Sequence, residues 1–229
     1  MRKGLLIPLI FGLAGAGILV GLGIWQMQRL TWKEGVLAEI ETRIAAEPGA
    51  LPAQPAAQAD QYLPVRVEGE FGEGALKVLV SRKRVGAGHL IISPFETATG
   101  RRILVDRGFL KLDTDLPAAP QTPVTITGNL HWPDDRNSST PANDVADNTW
   151  FARDIPQMAE VLGTEPILLT SRRIAPPEAA LTPLPVDTTH IPNDHLQYAV
   201  TWFSLAAVWL VMTGYYITRS RKPAKGPGT

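Results

Sequence analysis

The stretch from Ile191 to Tyr216, IPNDHLQYAVTWFSLAAVWLVMTGYY, runs from a polar segment into a long apolar one, and its length decides the architecture. Leu196 to Ile217 is 22 residues without a charge, about 33 Å of helix at ~1.5 Å per residue and enough to cross a bilayer core. Leu5 to Met27 repeats the pattern with 23 uncharged residues, about 35 Å. That run exceeds the apolar region of a cleaved signal peptide and no small-residue cleavage site follows it, so it reads as a retained anchor. The sequence therefore predicts a short N-terminus (1–4), a first span (5–27), a domain (28–195), a second span (196–217) and a basic tail (218–229).

Charge is segregated about these spans. The chain is formally neutral, yet all 22 acidic residues and 16 of the 22 basic residues lie between the spans, a formal charge of −6. Arg2 and Lys3 precede the first span, and Arg219, Arg221, Lys222 and Lys225 follow the second. Basic flanks on the outer ends predict both termini in the cytoplasm and the intervening domain across the membrane, in a periplasm or its equivalent. An acidic domain is the reverse of a nucleic-acid-binding pattern. Cysteine is absent, which removes disulfides, thiolate metal sites and cysteine nucleophiles together.

After the first span, Leu30, Val36, Leu37, Ile40 and Ile44 keep a roughly helical spacing until Pro48, so the helix is expected to continue beyond the membrane. An irregular link from Pro48 to Ala59 follows. From Tyr62 onward come short β-type runs, YLPVRVEGEF, ALKVLVSRKRV, HLIISPFET, RRILVDRGFL, VTITGNLHW and NTWFARDI, with glycines between them. ETATGRR reads as a hairpin connection, IPQMAEVLG as a short helix and PILLT as a further strand. The expected fold is thus a membrane protein in which two transmembrane helices flank a β-rich α+β extracytoplasmic domain, mostly antiparallel. Pro176 to Pro192, rich in Pro and Thr, reads as an extended connector back to the membrane.

Few residues carry a chemical signal. There is no H-E-x-x-H, no G-x-S-x-G and no Walker or dinucleotide glycine pattern; Ser81 and Ser93 read as strand residues, and the basic run SRKRVG as protection of a strand edge. His89 and His131 lie at strand ends. Asp187, His190, Asp194 and His195 crowd together near the second span, either as solvated residues before a helix or as a copper or zinc site of an extracytoplasmic metal-dependent enzyme.

His195 is the more specific candidate. With Asn193 or Asp194 as cap it falls in the first helical turn, and Tyr198, Ala199, Trp202, Ala206 and Trp209 follow near its face. Arg29 leaves the first span at a similar depth. Ordinary interfacial anchoring accounts for such residues. The functional alternative is a neutral imidazole ligating a flat, apolar, metal-containing ligand such as haem, with Tyr198 and Trp202 packing on the ring and Arg29 meeting an acidic propionate. Residue chemistry alone leaves both open.

Four segments, LGIWQMQRLTWKEGVLAEI, GHLIISPFETATGRRILVDRGFL, WFARDIP and PNDHLQYAVTWFSLA, together resemble the surfeit-locus protein 1 family of cytochrome c oxidase assembly factors. They occur in family order from one span to the other. Asp194, His89 and Phe109 stand where the family commonly has Asn, Tyr and Trp. The resemblance implies a non-enzymatic chaperone that binds haem a as cargo and assists its insertion into cytochrome c oxidase subunit I, with haem a synthase and membrane lipid as further partners. It also implies that His195 is the haem-iron ligand, and it matches Arg107 and Gly108 to the family's Arg-Gly pair in either a structural or a binding role. A scaffold for oxidase assembly that does not ligate haem is the alternative. The short basic start favours a bacterial inner membrane, or the mitochondrial inner membrane for a processed chain.

Overall fold

A computed structural model describes residues 3–82, 86–189 and 191–221. Arg2, Lys83, Arg84, His190, Lys222 and Lys225, which figured in the charge and metal readings, lie outside the described residues. The chain divides into a helical unit, Met1–Glu39 with Thr189–Thr229, and a β unit, Ile40–Thr188.

The helical unit is built on α1 (Lys3–Ala45) and α4 (His195–Arg221), both long and apolar enough to cross a membrane. At 43 residues, α1 measures about 65 Å, twice the ~30 Å of a bilayer core. Its continuation past Met27 follows from the apolar stripe Leu30, Val36, Leu37, Ile40 and Ile44, half-buried along one side of otherwise exposed turns.

Within this unit the two helices meet in antiparallel register through large residues of α4 set against small residues of α1. The Thr213 side chain fills the space a Cβ on Gly12 would need, the Trp209 indole does so at Gly15, and the Phe203 ring at Gly23. Gly12, Ala16, Gly23 and Gln26 are buried in α1, and Ala199 and Ala206 in α4. With half-buried Leu19 between Ala16 and Gly23, and Trp202 between Ala199 and Ala206, the spacing alternates by fours and threes, which keeps one stripe of each helix facing the other. Small residues serve this purpose in lipid, where helix association rests on packing and interhelical hydrogen bonds. The Trp209 Nε1–H supplies one, donating to the Gly12 carbonyl at 3.0 Å, while its ring lies 5.6 Å from that of Phe11.

In the β unit, the runs anticipated from the sequence become β1 (Pro64–Phe71), β2 (Leu76–Arg82), β3 (Gly86–Thr97), β4 (Arg102–Lys111), β5 (Val124–Leu130), β6 (Thr149–Trp150) and β7 (Leu168–Ala175). Two short helices, α2 (Ala57–Asp60) and α3 (Ile155–Leu162), complete it. The sheet order is β1-β5-β7-β4-β3-β2-β6, with an additional β1–β3 pairing that closes β1, β5, β7, β4 and β3 into a barrel. Pairing is antiparallel except for β4–β7 and β2–β6. Closure depends on one edge of β3 serving two partners, the other edge pairing with β4: Gly86–Ile92 pairs with β2, and Phe95–Thr97 pairs with β1. Gly69 permits that approach, because a Cβ there would lie 2.0 Å from the Glu96 carbonyl oxygen. A closed barrel leaves no edge along these strands.

Both faces of β4 are covered, so its apolar residues run on rather than alternate with polar ones. Ile103 and Val105 enter the barrel core with Val65, Phe95, Ile126 and Leu169. Leu104 and Phe109 belong to a second core outside the barrel, with Trp150, Met158 and Leu168. Each such fully buried aliphatic side chain contributes about 1.5–3 kcal/mol. Asp154 caps α3 by accepting from the Gln157 N–H at 3.2 Å, and Gly163 ends it in the left-handed region at φ 61°.

Two expectations change. Only Thr149–Trp150 of the NTWFARDI run is a strand, since Asn143 Oδ1 accepts from the N–H groups of Phe151 and Ala152 and turns the chain into α3. The Pro/Thr-rich segment after β7 is not a free connector at its start. Glu178 pairs with Arg107, Leu181 is buried, and Thr182 exchanges backbone hydrogen bonds with Phe109 at 2.7 and 3.0 Å.

Candidate functional site

α4 begins at His195 itself, the Asp194 carbonyl accepting the first intrahelical bond from the Tyr198 N–H at 3.1 Å. The imidazole is half-buried, and its Nδ1 lies 2.8 Å from Oε1 of Gln26, a buried residue of α1. Gln26 is a polar side chain within an uncharged span, and His195 gives it a partner. Among the described residues no other hydrogen bond to the ring is formed, which leaves Nε2 as its open nitrogen. Asn193 Oδ1, two residues earlier, is buried without a hydrogen-bond partner among those residues.

The other sequence-predicted site residues divide between two surfaces. Trp202, seven residues along α4, shares the half-buried stripe with His195. Tyr198 is 55% exposed and points away from it. Arg29 is exposed, and its guanidinium lies 4.1 Å from the centre of the Trp32 ring, a cation–π contact on its own helix. Gln26, the group that does meet His195, was missed from the sequence. Its signal was its place in the stripe Gly12, Ala16, Leu19, Gly23, Gln26, Leu30, whose four-and-three spacing matches His195, Ala199, Trp202, Ala206, Trp209 and Thr213 on α4.

An apolar groove of about 370 Å³ lies further along the same helix pair, lined by Gly15, Leu19, Leu205, Val208, Trp209 and Met212. It starts ten residues after His195, about 15 Å along the helix.

His190, one of the four residues of the cluster read from the sequence, lies outside the described residues. Among the described residues no group of three or more His, Asp or Glu side chains converges on one point. A free zinc or copper ion needs three or four protein donors. One neutral imidazole suits an iron already held by four macrocycle nitrogens, which needs only an axial ligand.

In the β unit, Arg107 and Gly108 have structural work. Arg107 is buried on β4, its Nε donating to Glu178 Oε1 at 3.1 Å while its other arm pairs with Oε2; Ser93 Oγ lies 3.4 Å away and the Phe71 ring 5.2 Å. Gly108, at φ 124°, lies under the Thr182 backbone, whose carbonyl oxygen would be 2.5 Å from any Cβ. A cleft of about 260 Å³ opens between Trp132–Arg136 and Ala152–Pro156. Its wall is the two-pronged Arg153–Asp135 pair, at 2.6 and 2.9 Å. Burial pushes the Asp135 carboxyl up, but the hydrogen bonds and charge of Arg153 outweigh it and hold the group below its ordinary value.

The sequence profile of the SURF1 family matches residues 13–207, from the first span to the second. Surfeit locus protein 1 of Homo sapiens is 32% identical over 82% of this chain and 70% of its own length. The Gallus gallus protein of that name is 33% identical over 81% and 67%. A SURF1-like protein of Monosiga brevicollis is 33% identical over 84% and 80%. The matched region takes in His195, Gln26 and the whole β barrel, and the chain belongs to the SURF1 family.

Proposed function

We propose that this protein is a cytochrome c oxidase assembly factor that binds haem a through His195 and assists its insertion into the oxidase's catalytic subunit, subunit I, without turnover chemistry of its own. The observation that carries this reading is the imidazole at the head of a membrane span, its Nδ1 engaged by Gln26 and its Nε2 without a hydrogen bond among the described residues. Such a group supplies one axial bond to a haem iron, strong enough to hold the cargo and exchangeable for a nitrogen of the acceptor subunit. Trp202, on the same half-buried stripe, gives the macrocycle a flat apolar neighbour. Arg29, exposed near that end of the span, offers a donor to a propionate once it leaves the Trp32 ring. Family membership supports the assembly role, and the charge pattern supports a barrel across the membrane from both termini, which in a bacterial inner membrane is the periplasmic side, where haem a synthase would supply the cargo.

The test uses a strain without its own copy of the gene. Wild type should restore haem a-containing oxidase, and His195→Ala, accumulating in the membrane to the same level, should restore little. Full restoration by His195→Ala would remove the ligand role and leave a scaffold.

A further inference from the structure

Resting on the haem reading, we infer that Gln26 is a positioning residue for His195: it holds the imidazole in the Nδ1–H tautomer and so presents the Nε2 lone pair as the ligand. The geometry is direct. Gln26 Oε1 faces Nδ1 at 2.8 Å, and with the amide in this orientation the carbonyl oxygen accepts from a ring proton on Nδ1. In a histidine, the hydrogen bond made by one nitrogen decides which nitrogen is left to bind metal. The opposite amide orientation would place an N–H donor against Nδ1, put the ring proton on Nε2 and close the ligand position.

Burial makes the contact selective. Gln26 is 8% exposed on the α1 face that meets α4, and the hydrogen bond it makes to the half-buried His195 is strengthened by that low-dielectric setting. His195 comes from α4 and Gln26 from α1, 169 residues apart in sequence, so the tautomer is set only when the two helices are paired. The acceptor also increases electron donation by the ring to a bound metal, as carboxylate and carbonyl partners do at other metal-bound histidines. Gln26 touches no iron and acts through His195 alone.

The tautomer can be read without haem. Full-length protein carrying ¹⁵N-histidine, in lipid nanodiscs, should show one histidine protonated at Nδ1 that His195→Ala removes. Gln26→Met keeps the side-chain length but lacks the acceptor, and it should release the ring to the Nε2–H form or a mixture. Gln26→Glu restores an acceptor and should restore the tautomer. Titrated with haem a, Gln26→Met should bind about 10–100-fold more weakly, the usual effect of losing such a partner. Gln26→Glu should retain six-coordinate or five-coordinate histidine-ligated spectra matching wild type, with a midpoint potential moved to more negative values.

A wild-type His195 protonated at Nε2, or a tautomer indifferent to Gln26→Met, would overturn the inference while leaving His195 ligation intact. If His195→Ala instead keeps its haem and the tautomer still follows residue 26, the haem reading falls and the tautomer assignment stands.

Discussion

The Trp209 indole N–H donates to the carbonyl of Gly12 at 3.0 Å, tying the two spans together within the apolar layer, and its ring covers Gly15 so closely that a Cβ there would lie 2.6 Å from Nε1. The hydrogen bond itself contributes about 0.6 kcal/mol by the average for membrane interiors. Packing is the larger share. Gly15→Leu should therefore separate the helices more effectively than Trp209→Phe. Thermal unfolding of the purified protein in detergent should show Gly15→Leu lowering the midpoint more than Trp209→Phe does. Equal midpoints for the two variants would show that the pair does not depend on the glycine.

Arg107 and Glu178 form a buried pair between β4 and the segment after β7, with side chains 1% and 9% exposed. Removing one partner leaves the other charge uncompensated, at a cost of about 3–5 kcal/mol. Glu178→Ala should lower barrel stability by that order in denaturant unfolding. Combining it with Arg107→Met should recover much of the loss, since two apolar side chains leave no orphaned charge. Failure of the double variant to improve on Glu178→Ala would mean that the pair fixes geometry apolar packing cannot replace.

Asp135 links stability to pH. Its folded-state value lies below the ordinary one because Arg153 outweighs the burial penalty. A group depressed in this way contributes stability above its unfolded value, near 3.9 for Asp, and loses it as pH falls through the lower folded value. Asp135→Asn should therefore melt below wild type at pH 7, and the gap should narrow once pH drops below about 4. A gap unchanged down to a pH of about 2 would deny the linkage.

The proposed orientation rests on the basic residues outside the spans. A periplasm-active reporter fused after Arg136 should be active and one fused after Arg221 inactive. The opposite pair of results would reverse the placement of the barrel.

The parts of this fold governed by local pattern were legible in the sequence. Uncharged runs gave the spans, Pro48 followed the end of α1 at Ala45, and ETATGRR joins the antiparallel β3 and β4. Barrel closure was not legible, because it rests on Gly69 meeting Glu96 across distant strands, a backbone approach that no periodicity encodes. Glu178 lies in the segment read as an extended connector, and its buried partner comes from the distant strand β4. At the candidate site, the place of His195 at the first turn of α4 could be read from its neighbours, whereas Gln26 required the facing helix. Tyr198 was counted on the His195 face at i+3, but helices meeting through residues 195, 199, 202 and 206 favour the i+4 side and turn i+3 outward.

The most direct measurement is the haem spectrum of wild type and His195→Ala purified in parallel from membranes of cells that make haem a. Wild type should carry haem a with a Soret band typical of histidine ligation, and His195→Ala should lose most of that haem while keeping its two spans and folded barrel. Equal haem content with identical Soret bands in the two proteins would contradict the account.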